Sequence, residues 1–272
     1  MSGSFSSRGS EKIRYLFIDG GCLDSLLEAL SNGLFGGTKL EIDYSRLAEG
    51  FNKVFYYDCL PAKKQGEDET IYQKRVQPKL ELFNHLRSVD RFHVYEGTAR
   101  YRDKRRGQEQ KQVDIMIAVD MLTHSFRRNM HEATLLTGDL DFKPLIDALV
   151  QDGMYVSLWY PKGRTNYELV DSADSRQAIT IHNVQGWFTY TFQAQVKTPV
   201  LDRPLSSPNL DSSWQHLETI KQLTYETFIY EQEGNYGALL PVLSNYYLYV
   251  HHDLEQLKFY VDHIHSQNVI RE

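Results

Sequence analysis

The chain has two cysteines in 272 residues, Cys22 and Cys59, too few for a disulfide framework or, by themselves, a structural zinc site. Reduced thiols are expected. No apolar run approaches the roughly 18 to 20 residues that cross a bilayer, and the Ser- and Gly-rich residues 1–10 lack the hydrophobic core of a secretion signal. The expectation is therefore a cytoplasmic protein without membrane contact. An excess of positive charge is also missing, since 30 Lys and Arg face 36 Asp and Glu for a net charge of −6. This excludes a polycation that coats nucleic acid indiscriminately, but it leaves room for a local basic groove. Internal repeats are lacking too. What is present, 41% hydrophobic and 24% charged residues, excludes disordered and collagen-like chains. The length suits one sizeable α/β domain with a smaller appendage. The 18 tyrosines are spread along the chain and read as half-buried packing residues.

Over residues 13–185 short β-type runs alternate with helix-type runs, the pattern of a parallel sheet with crossover helices. Strands are expected over 15–18, 54–57, 92–95, 134–137, 155–160 and 179–182. Helices are expected over about 23–30, 70–89, 113–128, 144–150 and 167–175. Leu23, Leu26, Leu27 and Leu30 share a face of the first helix, Gly33, Gly36 and Gly37 stop it, and Pro144 suits the first turn of a later one. Pro199, Pro204 and Pro208 among Ser, Asp and Asn mark a linker. The expected division is a flexible N-terminus over 1–12, an α/β domain over 13–190, a linker over 191–213 and a small, mainly helical unit over 214–272. In that last unit 214–232 and 253–267 read as helices flanking a Tyr-rich segment, 246–250.

In an open parallel sheet the functional crevice lies beyond the carboxyl ends of the strands. The sequence puts acids there: Asp19 after the first strand, Asp58 after the second, and Asp139 with Asp141 after the strand over 134–137. Asp114 opens the helix before that strand. Each has an ordinary reading as a helix cap or turn residue. Together, like charges within a few ångströms call for a cation, and an all-carboxylate set suits a hard divalent ion, Mg²⁺ or Mn²⁺. Asp120 is six residues beyond Asp114, about 240° around the helix, so the two do not share a face and Asp120 is expected either to support the ligands from behind or to be structural.

Three stretches carry a resemblance to a known family: Phe-Ile-Asp-Gly-Gly at 17–21, the run at 111–122 that contains Val113-Asp114, and Leu-Thr-Gly-Asp-Leu-Asp-Phe-Lys-Pro-Leu at 136–145. In that order they resemble the NYN domain, in the LabA-like branch of the PIN-like nuclease superfamily, over about residues 13–185. The resemblance implies a three-layer α/β/α sandwich with a central parallel sheet. It implies a metal-dependent nuclease site in which Asp19, Asp114, Asp139 and Asp141 are catalytic, with Asp19, Asp114 and Asp139 holding the ion. It also implies RNA as the substrate, and products with 5′-phosphate and 3′-hydroxyl ends. One position departs from the family, which usually has Asn after Asp-Gly-Gly where this chain has Cys22. A thiol replaces poorly an amide that orients a water or ligand.

Arg100, Arg102, Lys104, Arg105, Arg106 and Lys111 crowd around Tyr101 with only Asp103 and Glu109 to offset them, and the segment runs into Asp114. It is expected to take phosphates beside the acids, with Lys143 as a second phosphate contact. Two other classes share these residues: a structure-directed DNA nuclease, and a non-catalytic nucleic-acid-binding or regulatory module. His251, His252, His263 and His265 lack cysteines and a firm spacing pattern, so they read as exposed rather than metal-bound. The unit that carries them is expected to meet a protein partner, a second copy or RNA.

Overall fold

The computed structural model describes residues 12–265 apart from 98–99, 102–107, 110, 197, 206, 208, 222–225 and 243–244. It divides into two units, the first made of residues up to Leu26 and Asp43–Ile179, the second of Leu27–Ile42 and residues from Thr180 onward. The first unit begins with β1 (Arg14–Asp19), α1 (Gly20–Leu34, the helix within which the division falls), α2 (Tyr44–Leu47), β2 (Lys53–Cys59) and α3 (Glu69–Ser88). It continues with β3 (Phe92–Gly97), the short antiparallel pair β4 (Arg100–Tyr101) and β5 (Gln108–Glu109), α4 (Lys111–Phe126) and β6 (Glu132–Leu136). A 3₁₀ turn (Leu140–Phe142) leads into α5 (Lys143–Gln151), followed by β7 (Tyr155–Pro161), α6 (Tyr167–Ser172) and β8 (Ser175–Ile179).

Six of these strands form one sheet in the order β3-β2-β1-β6-β7-β8, every neighbouring pair parallel. β1 and β2 are buried along almost their whole length, as a parallel sheet covered on both faces requires. On one face Phe17, Phe55 and Tyr57 pack with Val113, Ile117 and Met121 of α4 and with Leu145, Ile146 and Leu149 of α5. The alternate residues Leu16, Ile18, Val54 and Tyr56 are buried on the other face, where the Tyr56 ring meets Phe83 of α3. The α/β fold with a central parallel sheet is thus as the sequence implies. The order reverses between β1 and β6, so the loops leaving those two strands diverge and open a crevice at their carboxyl ends.

The expected last strand over 179–182 is displaced. β8 ends at Ile179, and Thr180 caps α7 (Ile181–Trp187), its backbone N–H and hydroxyl both donating to Asn183 Oδ1. The rest of the second unit corrects the expectation of a mainly helical C-terminus. After α8 (Tyr190–Gln195) come β9 (Val200–Leu205), β10 (Gln215–Lys221), β11 (Glu226–Gln232), β12 (Asn235–Val242) and β13 (Asn245–His251), and α9 (Leu254–His265) closes the unit. The five strands form an antiparallel sheet in the order β10-β11-β12-β13-β9, and α9 packs on β12 and β13. The stretch 191–213 is not a bare linker, because it holds most of α8 and the edge strand β9, in which Pro204 is tolerated. The stretch 214–232 is not helical, because Thr227 and Ile229 are buried with Phe228 less so, a period of two.

Candidate functional site

Three side chains tie the crevice together across the two strands that border it. Asp19, the last residue of β1, is 9% exposed, and its Oδ2 accepts a hydrogen bond of 2.9 Å from the Thr137 hydroxyl just beyond β6. The same hydroxyl accepts 3.2 Å from the backbone N–H of Asp139. Asp19 Oδ1 accepts from the Cys22 backbone N–H at 3.1 Å, so the carboxylate also satisfies an orphan donor at the start of α1. Asp139 caps the 3₁₀ turn, accepting from the Asp141 N–H at 2.9 Å, and both of these acids are exposed. Asp114 lies in the first turn of α4, next to Val113, which is seated against Gly97 at the end of β3. A methyl on Gly97 would come within 2.6 Å of Val113 Cγ2, so glycine there lets the first turn of α4 close onto the strand ends.

A second set of acids already shares a lysine. Asp58, 2% exposed at the end of β2, forms a close ion pair with Lys79 of α3, which also reaches Asp24 of α1 at 2.5 Å. The Tyr56 hydroxyl donates to Asp58 Oδ2 at 3.2 Å and the Cys59 N–H to Oδ1 at 2.7 Å. Gly20 explains the glycine after Asp19: a methyl there would lie 2.5 Å from Asp58 Oδ2 and 2.7 Å from the Tyr56 hydroxyl. Burial pushes the Lys79 ammonium toward neutrality, but Asp24 and Asp58 more than offset this and raise its pKa. Burial raises the Asp58 carboxyl, and Lys79 opposes that rise.

The electrostatics show which acids face one another. Burial raises Asp114 to about 6, with further contributions from Asp19, Asp139 and Asp141. Burial likewise raises Asp19, partly countered by the hydrogen bonds from Cys22 and Thr137 and reinforced by Asp58 and Asp139. Among the described residues no Lys, Arg or His pairs with Asp19, Asp114, Asp139 or Asp141. Among them, too, no three Asp, Glu, His or Cys side chains make a ready coordination shell. The donor set still fits a hard ion such as Mg²⁺ or Mn²⁺, which keeps several of its own waters and takes only one or two carboxylates directly. It does not fit a soft one, because burial and then Asp19 push the Cys22 thiol up to about 12 despite a hydrogen bond from the Gly138 N–H.

The NYN domain family model matches residues 16–181, well over half of the chain. The chain belongs to the NYN domain family. NYN domains are related to PIN-like nucleases, and the matched segment contains nearly all of the sheet, the crevice and all four of its acids. No curated protein matches the chain. A crystal structure of a protein of unknown function from Vibrio parahaemolyticus is similar at 20% identity, covering 63% of this chain and 96% of that one, with a TM-score of 0.44.

Within this NYN domain the structure brings Asp19, Asp114, Asp139 and Asp141 to one edge. Asp120 points elsewhere and accepts a 2.8 Å hydrogen bond from the Tyr57 hydroxyl. Lys143 is tied to Asp147 at 2.7 Å, one helical turn on, and is partly exposed. Arg102, Lys104, Arg105 and Arg106 lie outside the described residues, and of Arg100 and Lys111 only the backbone is described. In the second unit His251 is 4% exposed rather than on the surface: it ends β13, and its Nδ1 accepts from the Asp253 N–H at 3.0 Å. Thr137 and Lys79 escaped the sequence reading. Thr137 sits inside the Thr-Gly-Asp motif and had a signal; Lys79, one of several polar residues on a long amphipathic helix, had none.

Proposed function

We propose that this chain is a metal-dependent ribonuclease, hydrolysing phosphodiester bonds of single-stranded or structured RNA in the crevice between β1 and β6. The observation that carries this reading is the convergence there of Asp19, Asp114, Asp139 and Asp141 without a described counter-ion, with Asp114 raised to about 6 by burial and its neighbours. Asp19, Asp114 and Asp139 would hold Mg²⁺ or Mn²⁺, one or two of them directly and the rest through the ion's own waters. When bound, the ion supplies a water of lowered pKa and stabilises charge on the scissile phosphate and leaving oxygen.

The chain's own residues do the positioning. Thr137 and the Cys22 N–H fix both oxygens of Asp19, the Asp141 N–H fixes Asp139, and the seating of Val113 on Gly97 sets the height of Asp114. Asp141, exposed at the rim, orients the attacking water or completes the donor set. Arg100, Arg102, Lys104, Arg105 and Arg106 bind phosphates of the substrate, and Lys143 is a further contact when its pair with Asp147 opens. The setting is the cytoplasm, and the second unit meets a protein partner or a second copy of the chain.

The test is cleavage of short RNA and DNA of matched sequence with Mn²⁺ and with chelator. RNA cleavage that requires the ion and falls at least about 10²-fold in Asp139→Asn is expected. Asn keeps the capping role of Asp139, so the variant removes charge without removing the turn. Cleavage of DNA in preference to RNA would make the enzyme a DNA nuclease, binding without cleavage would make it a regulatory module, and equal rates for wild type and variant would trace the activity to a contaminant.

A further inference from the structure

The acids at this edge fall into two groups, and a lysine decides the difference. Because β1 lies between β2 and β6, Asp19 stands between Asp58 on one side and Thr137 with Asp139 on the other, and it feels both carboxylates. On the Asp139 side no described basic residue is paired with an acid of the crevice. On the Asp58 side both oxygens of the buried carboxylate are engaged, Oδ2 by Lys79 and Tyr56 and Oδ1 by the Cys59 N–H, while Lys79 also holds Asp24. Gly20 closes over Asp58, leaving no room even for a methyl group.

We propose that the Lys79 ammonium fills the place of a second cation, so that this edge binds one divalent ion, on the Asp114 and Asp139 side of Asp19, and Asp58 is not among its ligands. Two-ion sites space their ions about 3.5 to 4 Å apart, with acids on both sides of a shared carboxylate. Asp19 occupies the shared position. The acids on its far side are the pair that Lys79 already bridges, and a dication there would face the half-buried ammonium at close range. Lys79 is thus a positioning residue: it fixes the charge state and orientation of Asp58 and thereby the capacity of the site.

The inference rests on the proposed metal dependence, and counting ions separates the two. Mn²⁺ titration of the full chain, with free ion read by electron paramagnetic resonance, is expected to give one ion per chain. No ion would remove the nuclease reading itself, whereas two ions in the wild type would leave that reading standing and overturn this one. Lys79→Arg keeps the charge and is expected to keep one ion with affinity within about threefold. Lys79→Met, which frees Asp24 and Asp58, is expected to take up a second, weaker ion, and a folded Lys79→Met that binds only one would show that Lys79 does not set the count. Should that variant not fold, Asp58→Asn with Lys79→Met removes the ammonium together with its buried partner. The pair is expected to retain the single ion, and its loss would make Asp58 a ligand and end the proposal.

Discussion

Asp114 ionises near pH 6 because burial and three neighbouring carboxylates, Asp19, Asp139 and Asp141, all disfavour its charge. Its pKa in the fold lies above the ordinary 3.8, so the folded state binds its proton more tightly than the unfolded chain does. The resulting stabilisation is complete below about pH 4 and is lost as pH rises through about 6. In chelator, Asp114→Asn should therefore melt like wild type near pH 4 and above it at pH 7. The shift corresponds to no more than about 3 kcal/mol, and solvent screening of a partly exposed group brings the expected gain to about 1 kcal/mol. Melting curves across that pH range check it, and a difference independent of pH would mean that Asp114 acts through packing. The acids themselves were legible in the sequence, because short strands ending in Asp fix where a carboxylate must stand. Lys79 was not, because its partners Asp24 and Asp58 are far from it in sequence and nothing local distinguishes it from the other polar residues of α3.

At the scale of elements, the first unit was readable and the second was not. β1, β2 and α3 each lie within two residues of their expected bounds, because their apolar periods are long and unbroken. In the second unit the decisive signal is a turn. Gln232 pairs with Asn235, and the two residues between them, Glu233 and Gly234, have φ of 49° and 79°. Positive φ at both centres makes a two-residue hairpin loop of the kind that matches strand twist, but Glu in place of the usual Asn or Asp hides it. Aromatic residues interleaved with Glu and Gln over 226–232 then pass for a helix face, although Thr227 and Ile229 are the buried positions. Gly234→Ala should cost about 1 to 2 kcal/mol in the left-handed region. Glu233→Asn, a residue better suited to that region, should raise the melting temperature. A neutral Gly234→Ala in thermal melts would argue against the hairpin.

For the molecule as a whole, a net charge of −6 and a crevice lined by four acids oppose any polyanion, so attraction must come from a minority of residues. If the segment with Arg102, Arg105 and Arg106 supplies it, replacing the three by Ala should weaken RNA binding at low salt. The slope of log affinity against log salt should fall by up to about 2, at about 0.7 per phosphate contact on a single strand. Fluorescence anisotropy across a salt series measures both, and an unchanged slope would make the segment ordinary solvated surface. The hydrogen bond from Thr137 to Asp19 carries a different consequence, because it spans 118 residues of chain. On the ribosome, at about 5 to 20 residues per second, roughly 6 to 24 s separate the emergence of its two ends. During that interval β1 can pair with β2 while its other edge stays open, since its partner there, β6, has not been made. The newborn protein therefore carries an exposed strand edge of Tyr, Leu, Phe and Ile residues, a period in which trapping by a chaperone or by another nascent chain competes with completion of the crevice.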